Sequence, residues 1–199
     1  MIHPKIIYIY IYMIHLEDLA DNTKTDKNTV HSYLPLYQEL LKNKKDAKNI
    51  LEIGIFKGGS IQLWNNFFTD AIIYGLDIQD IDSICDEIKN NDKIKLLTSI
   101  NAYDENFFYN NFYGKIKFDF MLDDGPHSLE SQIQFIKLYS QLMTDDGILI
   151  IEDVQSWDWI DTLKHAVPEH LKQYIKVYDL RTNKNRWDDI VFTIDRFNL

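Results

Sequence analysis

Short runs of apolar, mostly β-branched residues, separated by stretches with helical spacing, set the limits on how this chain can fold. The runs are residues 49–53, 72–77, 94–98, 118–122 and 148–151. Continuous apolar runs, rather than alternating ones, are expected where helices cover both faces of a sheet. Helical patterns lie between them at 60–68, 81–90 and 128–143. In the last, Leu129, Ile133, Ile136, Tyr139 and Met143 share a face. Ser128 suits the N-cap, and Glu130 suits the positive end of the helix dipole. Residues 16–48 read as a polar helical cap in two pieces, with Tyr33–Leu41 supplying its apolar stripe. After the fifth run, 157–171 reads as a helix broken near Pro168. Residues 174–180 and 189–195 read as an antiparallel hairpin with a polar tip at 181–188. The expected fold class is α/β: a doubly wound, Rossmann-like sheet of seven mostly parallel strands ending in that hairpin. It forms a single domain over 16–199, behind an N-terminal extension at 1–15. In such a sheet, ligands sit at the carboxyl ends of the strands.

Charge and cysteine usage narrow the function classes. The chain carries 21 Lys+Arg against 31 Asp+Glu, a net charge of −10. Phosphates repel such a surface at long range, so a general nucleic-acid or anionic-membrane binder is not expected. The single cysteine, Cys85, excludes an internal disulfide and points to a reducing, cytoplasmic setting. The apolar run from Ile6 to Ile14 is about half the roughly 20 residues of a membrane helix. No small-residue cleavage site follows it, so it reads as a strand-like extension rather than a signal peptide. A homo-oligomer stays open.

Residues suited to chemistry fall at the expected strand ends. The stretch Leu51-Glu52-Ile53-Gly54-Ile55-Phe56-Lys57-Gly58-Gly59-Ser60 runs from strand through a glycine turn into a helix. Gly54 permits close backbone approach to a ligand. The spacing is not the dinucleotide G-x-G-x-x-G. Glu52 would repel a pyrophosphate and favour a cationic ligand. Asp77, ending the second strand, stands where an acid accepts hydrogen bonds from a ribose diol, and Ile78 beside it could pack on an adenine. Asp123-Asp124-Gly125-Pro126-His127 brings two acids and an imidazole to the fourth tip, and Glu152-Asp153 brings two more acids to the fifth. Neighbouring strands lie about 5 Å apart. Acids so crowded push protons onto one another unless a cation intervenes. An all-oxygen set suits Mg²⁺, Mn²⁺ or Ca²⁺ better than Zn²⁺. A solvated acidic rim is the plain alternative.

At these residues the sequence resembles a known family. LEIGIFKGGS and Asp77 resemble S-adenosylmethionine-dependent class I methyltransferases. LDDGPH and GILIIED resemble, more specifically, the metal-dependent sugar O-methyltransferases of the macrolide-tailoring type. Thr25-Asp26-Lys27, His31, Tyr33 and Tyr37 resemble a T-D-K…H-x-Y…Y signature ahead of the domain in that group. The resemblance covers residues 16–160. It implies S-adenosyl-L-methionine and Mg²⁺ (or Mn²⁺) as cofactors, with Asp124, Glu152 and Asp153 on the metal, Asp123 being the other candidate at its position. It implies His127 as the base, and Glu52, Gly54, Ser60, Asp77, Ile78, Asp123, Thr25 and Tyr33 around the cofactor. Asn101 stands in a weakened form of the family's polar stretch near the adenine. The implied reaction is methylation of a sugar hydroxyl, on a nucleotide sugar or a glycoside. A basic cluster at 181–186 would suit the phosphates of the former. The same site could serve a catechol or another vicinal diol. A nicotinamide oxidoreductase or a non-catalytic binding module are the readings from other classes; the first lacks its glycine fingerprint.

Overall fold

In a computed structural model, residues 14–80, 82, 84 and 86–198 are described. The expected N-terminal extension, up to residue 13, lies outside them, as do Cys85 and part of the expected helix at 81–90. A seven-stranded sheet runs in the order β3-β2-β1-β4-β5-β7-β6. Its strands are β1 (Asn49–Ile53), β2 (Ile72–Leu76), β3 (Ile94–Leu97), β4 (Phe118–Asp123), β5 (Met143–Ile151), β6 (Ile175–Asp179) and β7 (Ile190–Asp195). The first five are parallel, and β7 joins antiparallel between β5 and β6.

Neighbouring residues of each central strand feed opposite cores, as strand alternation requires. Ile50, Phe120, Leu122, Ile148 and Ile150 pack on one face with Leu34, Leu41, Ile61 and Trp64. Leu51, Met121, Leu149 and Ile151 pack on the other with Phe108, Phe135, Ile136 and Leu163. The first face is covered by α1 (Leu16–Leu19), α2 (Tyr33–Leu41) and α3 (Gly59–Phe67). The second is covered by α5 (Glu105–Asn111), α6 (Leu129–Tyr139) and α7 (Ile160–Ala166); α4 (Asp86–Lys89) precedes β3. Ser128 caps α6 by accepting from the Ser131 N–H at 3.1 Å.

Three elements depart from expectation. Helix α5 was not anticipated; Asp104 caps it, accepting from the Phe107 N–H at 2.7 Å. Strand β5 begins at Met143. The helix expected there ends earlier, in a 3₁₀ turn at Ser140–Leu142. The polar hairpin tip folds a short helix, α8 (Arg181–Lys184).

Candidate active site

The register brings the strand tips level: Ile53 of β1 lies opposite Asp123 of β4, which lies opposite Ile151 of β5. The acids that follow therefore emerge along one edge. The Asp124 N–H donates to Ile53 O at 2.9 Å, and the Glu152 N–H to Asp123 O at 3.1 Å. Gly54 turns away with φ +94°, and a Cβ there would lie 2.0 Å from the Asp124 carbonyl oxygen. Only glycine lets the β1 and β4 turns approach so closely. His127 (φ 54°) and Asp153 (φ 49°) both adopt the left-handed conformation that side chains disfavour. Such strain persists only where the surroundings enforce it, and it gathers at functional sites. At Asp153 one enforcer is visible. Buried Gln132 of α6 donates to the carbonyls of Glu152 at 3.2 Å and Asp153 at 3.4 Å.

The tips border a cavity of about 580 Å³, within the range of small-molecule sites. Gly54, Ser60, Asp77, Ile78, Asn101, Asp124, His127, Glu152 and Asp153 line it, and Thr25 and Tyr33 close it from the cap. Glu52 and Asp123 are not on that wall. Glu52 is fully buried, accepting from Trp64 Nε1 at 2.8 Å. Asp123 is buried and accepts from the Tyr103 hydroxyl. Burial pushes both carboxyls up to about 7, against the pull of Lys27 on Glu52 and of the Tyr103 hydrogen bond on Asp123. Asp77 accepts from the N–H groups of Ile55 at 2.8 Å, Phe56 at 3.2 Å and Gln79 at 2.8 Å. Asn101 accepts from the Tyr103 N–H at 3.0 Å. Phe56 and Ile78 add exposed apolar surface to the same cavity.

Around His127 the geometry is open. Its Nε2 lies 3.8 Å from Asp124 Oδ1 and 3.7 Å from Asp153 Oδ2, beyond hydrogen-bond reach. These three side chains can bring ligand atoms within 4.8 Å of one another. Two carboxylate oxygens beside an imidazole suit a hard divalent cation. The other oxygen of each acid is engaged. Asp124 Oδ2 accepts from Lys27 Nζ at 2.6 Å, and Asp153 Oδ1 from the Tyr33 hydroxyl at 2.5 Å. Glu152 differs: Lys27 Nζ at 2.5 Å and the Tyr37 hydroxyl at 2.5 Å take both of its oxygens. Burial pushes Glu152 and Asp153 upward, Lys27 opposing this at Glu152 and His31 at Asp153. A second convergent group, His31, Asp153, Asp188 and Asp189, lies behind the first. Its members are partly paired: His31 Nδ1 is 2.6 Å from Asp189 Oδ1 and Arg186 donates to Asp188 at 2.7 Å, while Asp188 Oδ1 is buried with no donor among the described residues.

Lys27, His31, Tyr37, Tyr103, Gln132 and Asp189 were not among the expected site residues. The first three stand in the T-D-K…H-x-Y…Y stretch, the one signal that could have found them. The basic cluster at 181–186, a phosphate-site candidate that reads first as the solvated hairpin tip, pairs with neighbouring protein groups. Arg181 donates to Asp179 and lies over Trp157, Lys184 donates to the Asn28 and Thr29 carbonyls, and Arg186 pairs with Asp188.

No protein-family model matches the chain. It is 27% identical over 157 residues to mycinamicin VI 2''-O-methyltransferase of Micromonospora griseorubida, covering 72% of this chain and 37% of that protein. It is 28% identical over 159 residues to demethylmacrocin O-methyltransferase of Streptomyces fradiae, again covering 72% and 37%. The chain thus spans well under half the length of the curated relatives it matches. Among solved structures, the MycE methyltransferase of the mycinamycin biosynthetic pathway, in complex with Mg and SAH, superposes with a TM-score of 0.69. The identity is 19%, over 92% of this chain and 54% of that one. A caffeoyl-CoA O-methyltransferase of Staphylococcus aureus, itself assigned by inference, superposes at 0.58 with 17% identity, covering 90% and 91%. The chain has the class I S-adenosylmethionine-dependent methyltransferase fold, and the sequence relatives named above are O-methyltransferases.

Proposed function

We propose that this chain transfers a methyl group from S-adenosylmethionine to a sugar hydroxyl, with Mg²⁺ or Mn²⁺ at the strand tips. The observation that carries the reading is that Asp124 Oδ1 and Asp153 Oδ2 stand 3.8 and 3.7 Å from His127 Nε2, two carboxylate oxygens for an ion beside an imidazole left for the proton. Asp124 and Asp153 each hold one oxygen toward it while their other oxygen is anchored. A divalent ion there, when bound, lowers the pKa of a coordinated hydroxyl. His127 takes the hydroxyl proton, the general-base role that an imidazole commonly plays.

The remaining wall fits the donor. Asp77, with its carboxylate pinned by three backbone N–H groups, keeps lone pairs for a ribose diol. Phe56 and Ile78 offer apolar faces to an adenine, and Gly54 lets the donor lie close to the backbone. Ser60, Asn101 and Thr25 supply polar contacts. Asp123 acts from behind, through Tyr103, while Glu52 lies deeper, against Trp64. Holding donor and acceptor in line supplies much of the acceleration.

The 2''-O position methylated by the mycinamicin relative supports the choice of a sugar hydroxyl. The engaged cations at 181–186 favour a glycoside over a nucleotide sugar. Among the described residues no helix is long and apolar enough to cross a membrane, and a cytoplasmic setting fits the single cysteine. The test is turnover with S-adenosylmethionine and a panel of glycosides and nucleotide sugars, with Mg²⁺ or with EDTA, reading release of the demethylated donor. Turnover on a glycoside that EDTA abolishes is expected. EDTA-insensitive turnover overturns the metal, and absence of donor binding by calorimetry overturns methyl transfer.

A further inference from the structure

We propose that Tyr103 is a positioning residue for His127, seating the turn that carries the imidazole through its contacts with Asp123 and Gly125. The inference rests on the reading of His127 as the base.

His127 sits in the left-handed region at φ 54°, and such a conformation persists only where its surroundings impose it. The turn is Asp123-Asp124-Gly125-Pro126-His127. Both ends are fixed. The Asp124 N–H donates to Ile53 O at 2.9 Å, and Ser128, directly after His127, caps α6. Pro126 locks its own φ, so a displacement of Gly125 is passed on to His127. The group that bears on Gly125 is the Tyr103 phenol.

Tyr103 belongs to the loop between β3 and α5, and it lines the cavity together with Gly125, Pro126 and His127. Its hydroxyl donates to Oδ1 of buried Asp123. A Cβ on Gly125 would lie 2.1 Å from Tyr103 Oη and 3.2 Å from its Cζ. Gly125 has no positive φ, so the contact, and not the backbone conformation, calls for glycine there. The phenol is itself held from behind. The Tyr103 N–H donates to Asn101 Oδ1 at 3.0 Å, and the Tyr139 hydroxyl donates to Ala102 O at 2.7 Å. The same loop begins at the donor end of the cavity, where the Ile100 N–H donates to Asp77 O at 3.2 Å. It thus ties the wall that carries Asp77 to the turn that carries His127. Without the hydroxyl, Asp123 loses its donor and Gly125 loses the group it rests against.

The test compares the wild-type chain with Tyr103→Phe. The first readout needs no turnover: the His127 ring carbon–proton cross peak in the nuclear magnetic resonance spectrum of the free protein, assigned by its loss in His127→Asn. It is expected to shift, with the peaks of His15, His165 and His170 unmoved. Phe keeps the ring, so the shift reports movement and not a lost aromatic neighbour. The second readout is kinetic: kcat is expected to fall about 10- to 100-fold, the scale of a small misplacement of a reacting group, with the donor dissociation constant unchanged. An unmoved His127 peak overturns this inference and leaves methyl transfer standing. Weakened donor binding with kcat retained makes Tyr103 a donor contact and also overturns it. A wild type that methylates nothing while the peak still shifts overturns methyl transfer and supports the positioning. Tyr103→Phe leaves a buried carboxylate without its hydroxyl donor and can fail to fold. Tyr103→Phe/Asp123→Asn, which removes the charge along with the donor, is therefore run beside it with the same expected shift. Gly125→Ala tests the contact by a double-mutant cycle. Its Cβ meets Tyr103 Oη in the wild-type background and not in Tyr103→Phe, so its cost in kcat is expected to be smaller in the second. Equal costs in both backgrounds overturn the inference.

Discussion

The Tyr33 hydroxyl donates to Asp153 Oδ1 at 2.5 Å across 120 residues of sequence. The bond holds one carboxylate oxygen on the cap and leaves the other toward His127. Groups that orient a metal ligand typically cost 10- to 100-fold in metal affinity when removed. Tyr33→Phe is expected to weaken Mn²⁺ binding by about that factor while donor affinity stays the same. Unaltered Mn²⁺ affinity in a calorimetric titration would show that the hydroxyl does not position Asp153.

His127 adopts φ 54°, which asparagine tolerates better than most residues. His127→Asn therefore removes the base with little backbone penalty. The expected loss in kcat is on the order of 10²–10⁴, with donor binding retained. A variant that turns over normally on the glycoside acceptor would remove His127 from proton transfer.

Gly54 has φ +94° and no room for a Cβ against the Asp124 carbonyl. Gly54→Ala is expected to cost on the order of 1–3 kcal/mol from the backbone conformation alone, with the clash in addition. It should also push the β4 turn, and Asp124 with it, out of line. Urea denaturation reads the first effect and Mn²⁺ affinity the second. An unfolding midpoint equal to wild type would show that the two turns can part without cost.

Glu52 gives the pH prediction. Burial pushes its carboxyl up to about 7, and the pull of nearby Lys27 does not cancel that. In an unfolded chain a Glu titrates near about 4.3. Between those values the folded chain keeps a proton that the unfolded chain has lost, so this group's contribution to stability falls as pH rises through that window. Glu52→Gln is expected to flatten the dependence of melting temperature on pH there. Parallel curves for the two proteins would contradict the raised carboxyl.

The sheet was legible because its strands are buried on both faces, which leaves continuous apolar runs. Strand β1 (Asn49–Ile53) and helix α2 (Tyr33–Leu41) fall where the pattern put them. Helix α5 was not legible, because only Phe108 of its seven residues is buried and the aromatics around it blur the period. The start of β5 was hidden by Thr144, Asp145 and Asp146, polar residues at the foot of the sheet of which the two acids are exposed. The tip acids could be read at the site because strand ends are visible in sequence. The engagement of Glu152 and Glu52 could not, because it depends on Lys27, 125 and 25 residues away. Lys27 lies in a loop with no periodicity to betray an inward side chain.

The pairing of His31 with Asp189 joins segments 158 residues apart. A growing chain therefore exposes its cap long before the ribosome delivers the segment that pins it. Strands β1, β2 and β4 can zip together while His31 still lacks its counterpart. His31 finds it only once the turn leading into β7 is in place. Locking the cap onto the sheet edge therefore waits on the segment that leads into β7.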